Sequence, residues 1–133
     1  MITEQELAQL SYPEAPKMIT DTVPGPKTQE YLEGSFNNES MARGGGRLPL
    51  VFEEGRGSTI KDPDGNVYID ITAGVAVNSV GRCHPRVIEA MQNQMGKLMH
   101  ASDISNVRRT DLAKKVAGIM PEGLKNNCIT YFT

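Results

Sequence analysis

Cys83 and His84 stand side by side within Gly81-Arg82-Cys83-His84-Pro85. A thiol beside an imidazole suggests a nucleophile with its base, or two metal ligands. Adjacent residues on an extended chain point to opposite faces, and neither His100 nor Cys128 lies at ligand spacing from the pair. His84 therefore reads as a structural histidine that bonds the turn ahead of Pro85. Asp62, Asp64 and Asp70 suggest a carboxylate or calcium set. The neighbouring Gly65 and Asn66 fit a hairpin tip better, and the sixth- and twelfth-position pattern of a calcium loop is missing. Gly44-Gly45-Gly46, with Gly55 and Gly57 further on, has the composition of a phosphate cradle. Such cradles follow a strand and open a helix, and these glycines do neither, so they read as loop and turn. Residue chemistry alone assembles neither a metal site nor a complete active site.

The elements that would carry these residues follow from period and punctuation. A short helix is expected from Glu4 to Leu10, and Pro24-Gly25-Pro26 is a strong break. Pro26 is placed to open a helix through Gln29, Tyr31 and Leu32, and Asn37 to Arg47 reads as a loop. Leu48 to Phe52 is a short apolar run of strand type. A hairpin follows: Ser58-Thr59-Ile60, the type I turn Asp62-Pro63-Asp64-Gly65, then Val67 to Ile71 with Val67, Ile69 and Ile71 on one face. Pro85 opens a helix in which Ile88, Met91, Met95, Leu98 and Met99 recur at helical spacing. Leu112, Ala113, Val116, Ile119 and Met120 form a second stripe, stopped by Pro121. Lys114-Lys115 with Arg108-Arg109 reads as the solvated face of that helix, and Met91, Met95, Met99 and Met120 as core filler. Ile129 to Phe132 reads as the start of a buried strand, with the chain stopping inside it, as a truncation would leave it. Strand, helix, helix and strand make an α/β or α+β arrangement.

Composition bounds the functions open to these elements. The chain has 133 residues, 14 Lys+Arg against 16 Asp+Glu, 38% apolar and 23% charged residues. That suits one globular domain at most, with no electrostatic footprint for nucleic acid or an anionic membrane. No apolar run approaches the length of a membrane span, and the acidic start is not that of a signal peptide. Cys83 and Cys128 then read as reduced thiols of a cytoplasmic protein. Three Phe, four Tyr and no Trp are few for a self-sufficient core, the first sign of a chain that belongs to something larger.

Taken together, Pro24-Gly25-Pro26-Lys27, the segment PLVFEEGRGSTIKDPDGNVYIDITAGVAVNSVG from Pro49 to Gly81, and CHPRVIEAM from Cys83 resemble the N-terminal part of the class III (omega-amino-acid) aminotransferases. The likeness runs from about Pro24 to Thr133. It implies a pyridoxal-phosphate-dependent transferase of fold type I: an N-terminal arm at 1–23, a small-domain segment with hairpin and helix at 24–100, and the start of the large cofactor-binding domain at 101–133. PGPK and AGVAV look closest to 4-aminobutyrate aminotransferases and to related amino-acid racemases. The implied reaction moves an amino group from an omega-amino acid to a 2-oxo acid, in a homodimer. Val75 is implied to line the substrate side of the pocket, with Ala76 beside it; read from the residues alone, Val75 is equally a buried valine of a strand or loop. No residue is matched to a catalytic or cofactor-binding role. CITYFT resembles the strand that leads into the family's phosphate-binding turn, which lies beyond Thr133, as do the family's cofactor-bearing Lys and ring-nitrogen Asp. The 133-residue chain is accordingly expected to be inactive and to hold no cofactor alone. A racemase or epimerase of the same family, and a non-catalytic module that pairs with another subunit, are the competing expectations.

Overall fold

Asp62-Pro63-Asp64-Gly65 closes the central turn in a computed structural model, which describes residues 3–39 and 48–132. The Gly65 N–H donates to the Asp62 carbonyl at 2.9 Å. The turn joins the antiparallel strands β2 (Thr59–Lys61) and β3 (Val67–Ile69), in the register Thr59 to Ile69 and Lys61 to Val67. On the other side of β2 lies β1 (Glu54–Arg56), Glu54 facing Lys61 and Arg56 facing Thr59. The sheet order is β1-β2-β3.

The hairpin tip is rigid because its carboxylates are engaged. Asp62 is fully buried and accepts from the N–H groups of Asp64 (3.0 Å) and Asn66 (2.8 Å), from Asn66 Nδ2 (2.9 Å) and from the Tyr68 hydroxyl (2.8 Å). Four donors meet the demand that a buried charge be hydrogen-bonded. Burial, and then the Asp62 carboxylate, push the Tyr68 hydroxyl up to about 12. Asp64 turns the other way, onto the N-terminus of α2 (Pro26–Asn38). It accepts from the Lys27 N–H (2.9 Å), the Thr28 N–H (2.8 Å) and the Thr28 hydroxyl (2.7 Å). Gly25, the N-cap, has no side chain to do this, and a Cβ there would lie 2.5 Å from Asp64 Cγ. The helix cap thus comes from the hairpin.

The segment after α1 (Glu4–Ala8) runs along the sheet. Tyr12 N–H donates to Thr59 Oγ1 (2.9 Å), Lys17 and Val67 exchange both backbone bonds (2.9 and 2.7 Å), and Asn66 Oδ1 accepts from the Ile19 and Thr20 N–H groups (2.6 and 3.1 Å). Tyr12, Ile60 and Val67 are the buried apolar residues among those described.

Several expected features take another form. Leu48 to Phe52 is not a strand: the Leu50 N–H closes on the Leu48 carbonyl at 2.8 Å, a three-residue turn across Pro49, and pairing with β2 begins at β1. Val67 is buried, but Ile69 is 52% and Ile71 92% exposed, because the Lys17 segment pairs with β3 only at Val67. The helix from Pro26 runs on through Asn37 and Asn38; residues 40–47, with the triple glycine, lie outside the described residues.

The chain divides into two compact units, Met1–Met91 and Gln92–Thr133, the boundary falling within α3 (Pro85–Met95). In α3, His84 contributes its carbonyl, which accepts from the Val87 and Ile88 N–H groups (2.9 and 3.0 Å), whereas its ring Nδ1 is buried without a hydrogen-bond partner. The turn is bonded by the backbone, not by the imidazole. The second unit carries α4 (Val107–Ile119), capped by Asn106 Oδ1 on the Arg109 N–H (3.0 Å) and followed by Pro121. Met91, Met95 and Met99 are more than half exposed, so they are not core filler within this chain. Ile129, at 99% exposure, belongs to no strand, and residues 129–132 have no ladder partner among the described residues. A strand needs a neighbour before its pattern has meaning. No described helix is long and apolar enough to cross a membrane.

Candidate functional site

Beyond β3 the chain makes a loop from Asp70 to Arg82 that carries Val75 and Ala76. Its centre is left-handed: Ala73, Gly74, Val75 and Ala76 lie at φ +49°, +61°, +61° and +63°. The Ala76 N–H donates to the Thr72 carbonyl (3.0 Å) and the Asn78 N–H to the Ala73 carbonyl (2.8 Å), closing one turn of the wrong hand for L-residues. Each non-glycine residue in that state costs about 1–2 kcal/mol, and a β-branched valine is the least suited of the three. The turn sets Val75 outward at 88% exposure, with Val77 (82%) beyond it. Val75 is not a buried valine of a strand.

The loop is closed at its base. Arg82 and Gly57 exchange both backbone bonds (2.8 and 2.9 Å), and a Cβ at Gly81 would lie 2.9 Å from Gly57 Cα. The Arg82 guanidinium pairs with Asp70, the two side chains 18% and 7% exposed, and holds that carboxyl far below its ordinary value. Asp70 Oδ1 also accepts from the Thr72 N–H (2.9 Å) and hydroxyl (2.7 Å). The three aspartates serve separate places: Asp62 supports the hairpin, Asp64 caps α2, and Asp70 ties the loop. Groups of three or more His, Cys, Asp or Glu able to hold a metal are absent among the described residues.

Cys83 (φ +51°, exposed) lines a cleft of about 540 Å³ with Gln9, Tyr12, Glu53, Glu54, Gly55 and Arg56. Tyr12 is its fixed centre. The Tyr12 hydroxyl donates to Glu54 Oε2 at 2.6 Å, and Arg56 and Lys61 lie over the ring at 4.9 and 4.4 Å. Burial, and then the Glu54 bond, push the Tyr12 hydroxyl up to about 12, while the same bond and Lys61 lower Glu54.

The family model for class-III aminotransferases matches residues 40–133. The chain belongs to the class-III aminotransferase family. Over 72 residues it is 47% identical to the acetylornithine aminotransferase of Methanocaldococcus jannaschii, covering 53% of this chain and 18% of that protein. It superposes on the acetylornithine aminotransferase of Elizabethkingia anophelis with a TM-score of 0.62 at 22% identity, over 69% of this chain and 24% of that one, a likeness of fold. With the ornithine aminotransferase of Toxoplasma gondii, whose crystal structure has pyridoxal phosphate at partial occupancy in its active site, the TM-score is 0.59 and the identity 27%, over 69% of this chain and 21% of that one. The chain spans about a fifth of the length of these relatives. The α/β fragment of a pyridoxal-phosphate transferase fold is thus established; the narrowing to 4-aminobutyrate enzymes is not supported by relatives named for acetylornithine and ornithine.

Two helix N-termini of this class-III aminotransferase segment are already engaged. A phosphate monoester seeks open N–H donors, but the N-terminus of α2 already holds the Asp64 carboxylate and that of α1 is closed by the reciprocal Thr3–Glu6 box. Lys61 is held by Glu54 (3.4 Å) and lies over the Tyr12 ring. Arg82 carries no site signal in the sequence, since its partner Asp70 lies 12 residues away.

Proposed function

We propose that the whole protein is a pyridoxal-phosphate-dependent transaminase that moves the terminal amino group of an omega-amino acid of the ornithine or acetylornithine class to a 2-oxo acid. The family match over residues 40–133 carries this reading, and the names of the relatives support the donor class. In this reading the cofactor supplies the electron sink, the segment described here supplies one wall of the substrate pocket through Val75 and Ala76, and the 133-residue chain alone does not transaminate. The exposure of Val75 supports its role. Homodimer formation is part of the same proposal, supported by the apolar side chains that α3 leaves exposed. A cytoplasmic location is supported by Cys83 and Cys128, both free of disulfides.

The test is an assay of the intact enzyme with acetylornithine, ornithine and 4-aminobutyrate as donors, following both the 2-oxo acid consumed and the chirality of any amino acid recovered. Preference for acetylornithine or ornithine agrees with the proposal. Preference for 4-aminobutyrate would return the donor to the narrower expectation, and inversion without amino transfer would identify a racemase.

A further inference from the structure

The left-handed turn at Ala73–Ala76 needs something to hold it, because three of its four residues disfavour that hand. Its own bonds are the backbone contacts Ala76 to Thr72 and Asn78 to Ala73, with the Ser79 hydroxyl donating to the Ala76 carbonyl (2.8 Å), all on an exposed loop. The loop is drawn closed at one residue. Arg82 fixes the loop's end to Gly57 through its backbone and the loop's beginning through its ion pair with Asp70, which in turn binds Thr72, the first residue of the turn. The stem of Arg82 fills the space beside Gly55, where a Cβ would overlap Arg82 Cδ, and its guanidinium lies 5.9 Å over the Phe52 ring. A Cβ on Gly74 would also lie 3.5 Å from Arg82 Nη2, so the guanidinium reaches the turn itself.

We propose that Arg82 is a positioning residue: clamped to Asp70, it holds the Thr72–Asn78 turn in its left-handed form and thereby sets the direction in which Val75 is presented to substrate. Arg82 touches no substrate in this scheme; it acts through the turn. Its Nη1 binds Asp70 while its stem packs beside Gly55, a combination that a lysine reproduces only in part. The consequence for substrate rests on the role given to Val75 above; the clamp does not.

The experiment compares the intact enzyme with Arg82→Gln, Arg82→Lys, Ala73→Gly and the Arg82→Gln/Ala73→Gly pair. Exchange of the Ala76 and Asn78 amide hydrogens reads the turn, and the split between KM and kcat for the amino donor reads the pocket. Arg82→Gln is expected to speed exchange of both amides by about tenfold, as local opening becomes easier. It should also raise KM for the donor by about threefold or more with little change in kcat, the pattern of lost positioning away from the reacting atoms. Arg82→Lys should fall between wild type and Arg82→Gln. Glycine tolerates the left-handed state, so Ala73→Gly should restore most of the protection and of the KM in the Arg82→Gln background. Unchanged exchange in Arg82→Gln overturns the clamp, and faster exchange with an unchanged KM overturns the positioning role. If the intact enzyme transfers no amino group, the functional proposal falls, and the exchange rates alone decide whether Arg82 holds the turn.

Discussion

Asn66 shows how one side chain serves two segments. Its Oδ1 accepts from Ile19 and Thr20 while its Nδ2 donates to Asp62 and to Thr20 Oγ1 (2.9 Å each), all within a fully buried position. Asn66→Ala takes the acceptor from the Ile19 and Thr20 N–H groups and one of four donors from Asp62, and is expected to cost about 2–3 kcal/mol, read from a urea denaturation midpoint. Glu6 gives a pH signature. Its carboxylate takes the Arg86 guanidinium (2.7 Å) and the Thr3 N–H (2.8 Å), and these bonds, Arg86 first, lower it from 4.5 to about 2. Because the folded value lies below the unfolded one, the stabilisation is present above about pH 4.5 and is lost as pH falls towards 2. A series of melts across that window should show a smaller loss in Glu6→Gln than in wild type. Both partners are solvent-accessible, so high salt should shrink the difference. The long-range partnerships were not visible in the sequence, since the Glu6–Arg86 pair spans 80 residues and the Asn66–Ile19 bond 47.

Among the elements, Gly57 lets the N-terminal segment pass close to the turn between β1 and β2. It sits at φ +55°, and an added Cβ would overlap the Leu10 carbonyl oxygen, a backbone atom with little freedom to yield. Gly57→Ala should cost about 3 kcal/mol, visible as a lowered thermal midpoint, and should also loosen the Arg82 pairing. The hairpin and helices α2, α3 and α4 were legible from the sequence because their signals are local: a Pro-Asp-Gly turn, Pro at a first helical position, apolar residues at helical spacing. Leu48–Phe52 and Ile129–Phe132 have the composition of strands without the ladder partner that makes one. The left-handed turn was illegible for the opposite reason. Ala73, Val75 and Ala76 have no preference for it, and Gly74 alone marks the place.

At the scale of the whole chain, the apolar accounting is lopsided. Among the described residues three apolar ones are buried, whereas Ile71, Val75, Val77, Met99 and Ile129 stay at least 78% exposed. Exposed apolar surface of this extent invites association. The 133-residue chain should therefore bind a hydrophobic dye such as ANS with a several-fold rise in fluorescence and show a concentration-dependent sedimentation coefficient; a dye-silent monomer would contradict this. The family was legible at this scale because many segments occur in order, while the donor was not. The Asp64 cap has one more consequence, for the order of events during synthesis. As the chain grows from its N-terminus, α2 is complete well before Asp64, which lies 36 residues beyond Thr28, has been made. Until then the first turn of α2 has water for a cap and frays. The helix and the hairpin should become firm together, as one event late in the growth of the first unit.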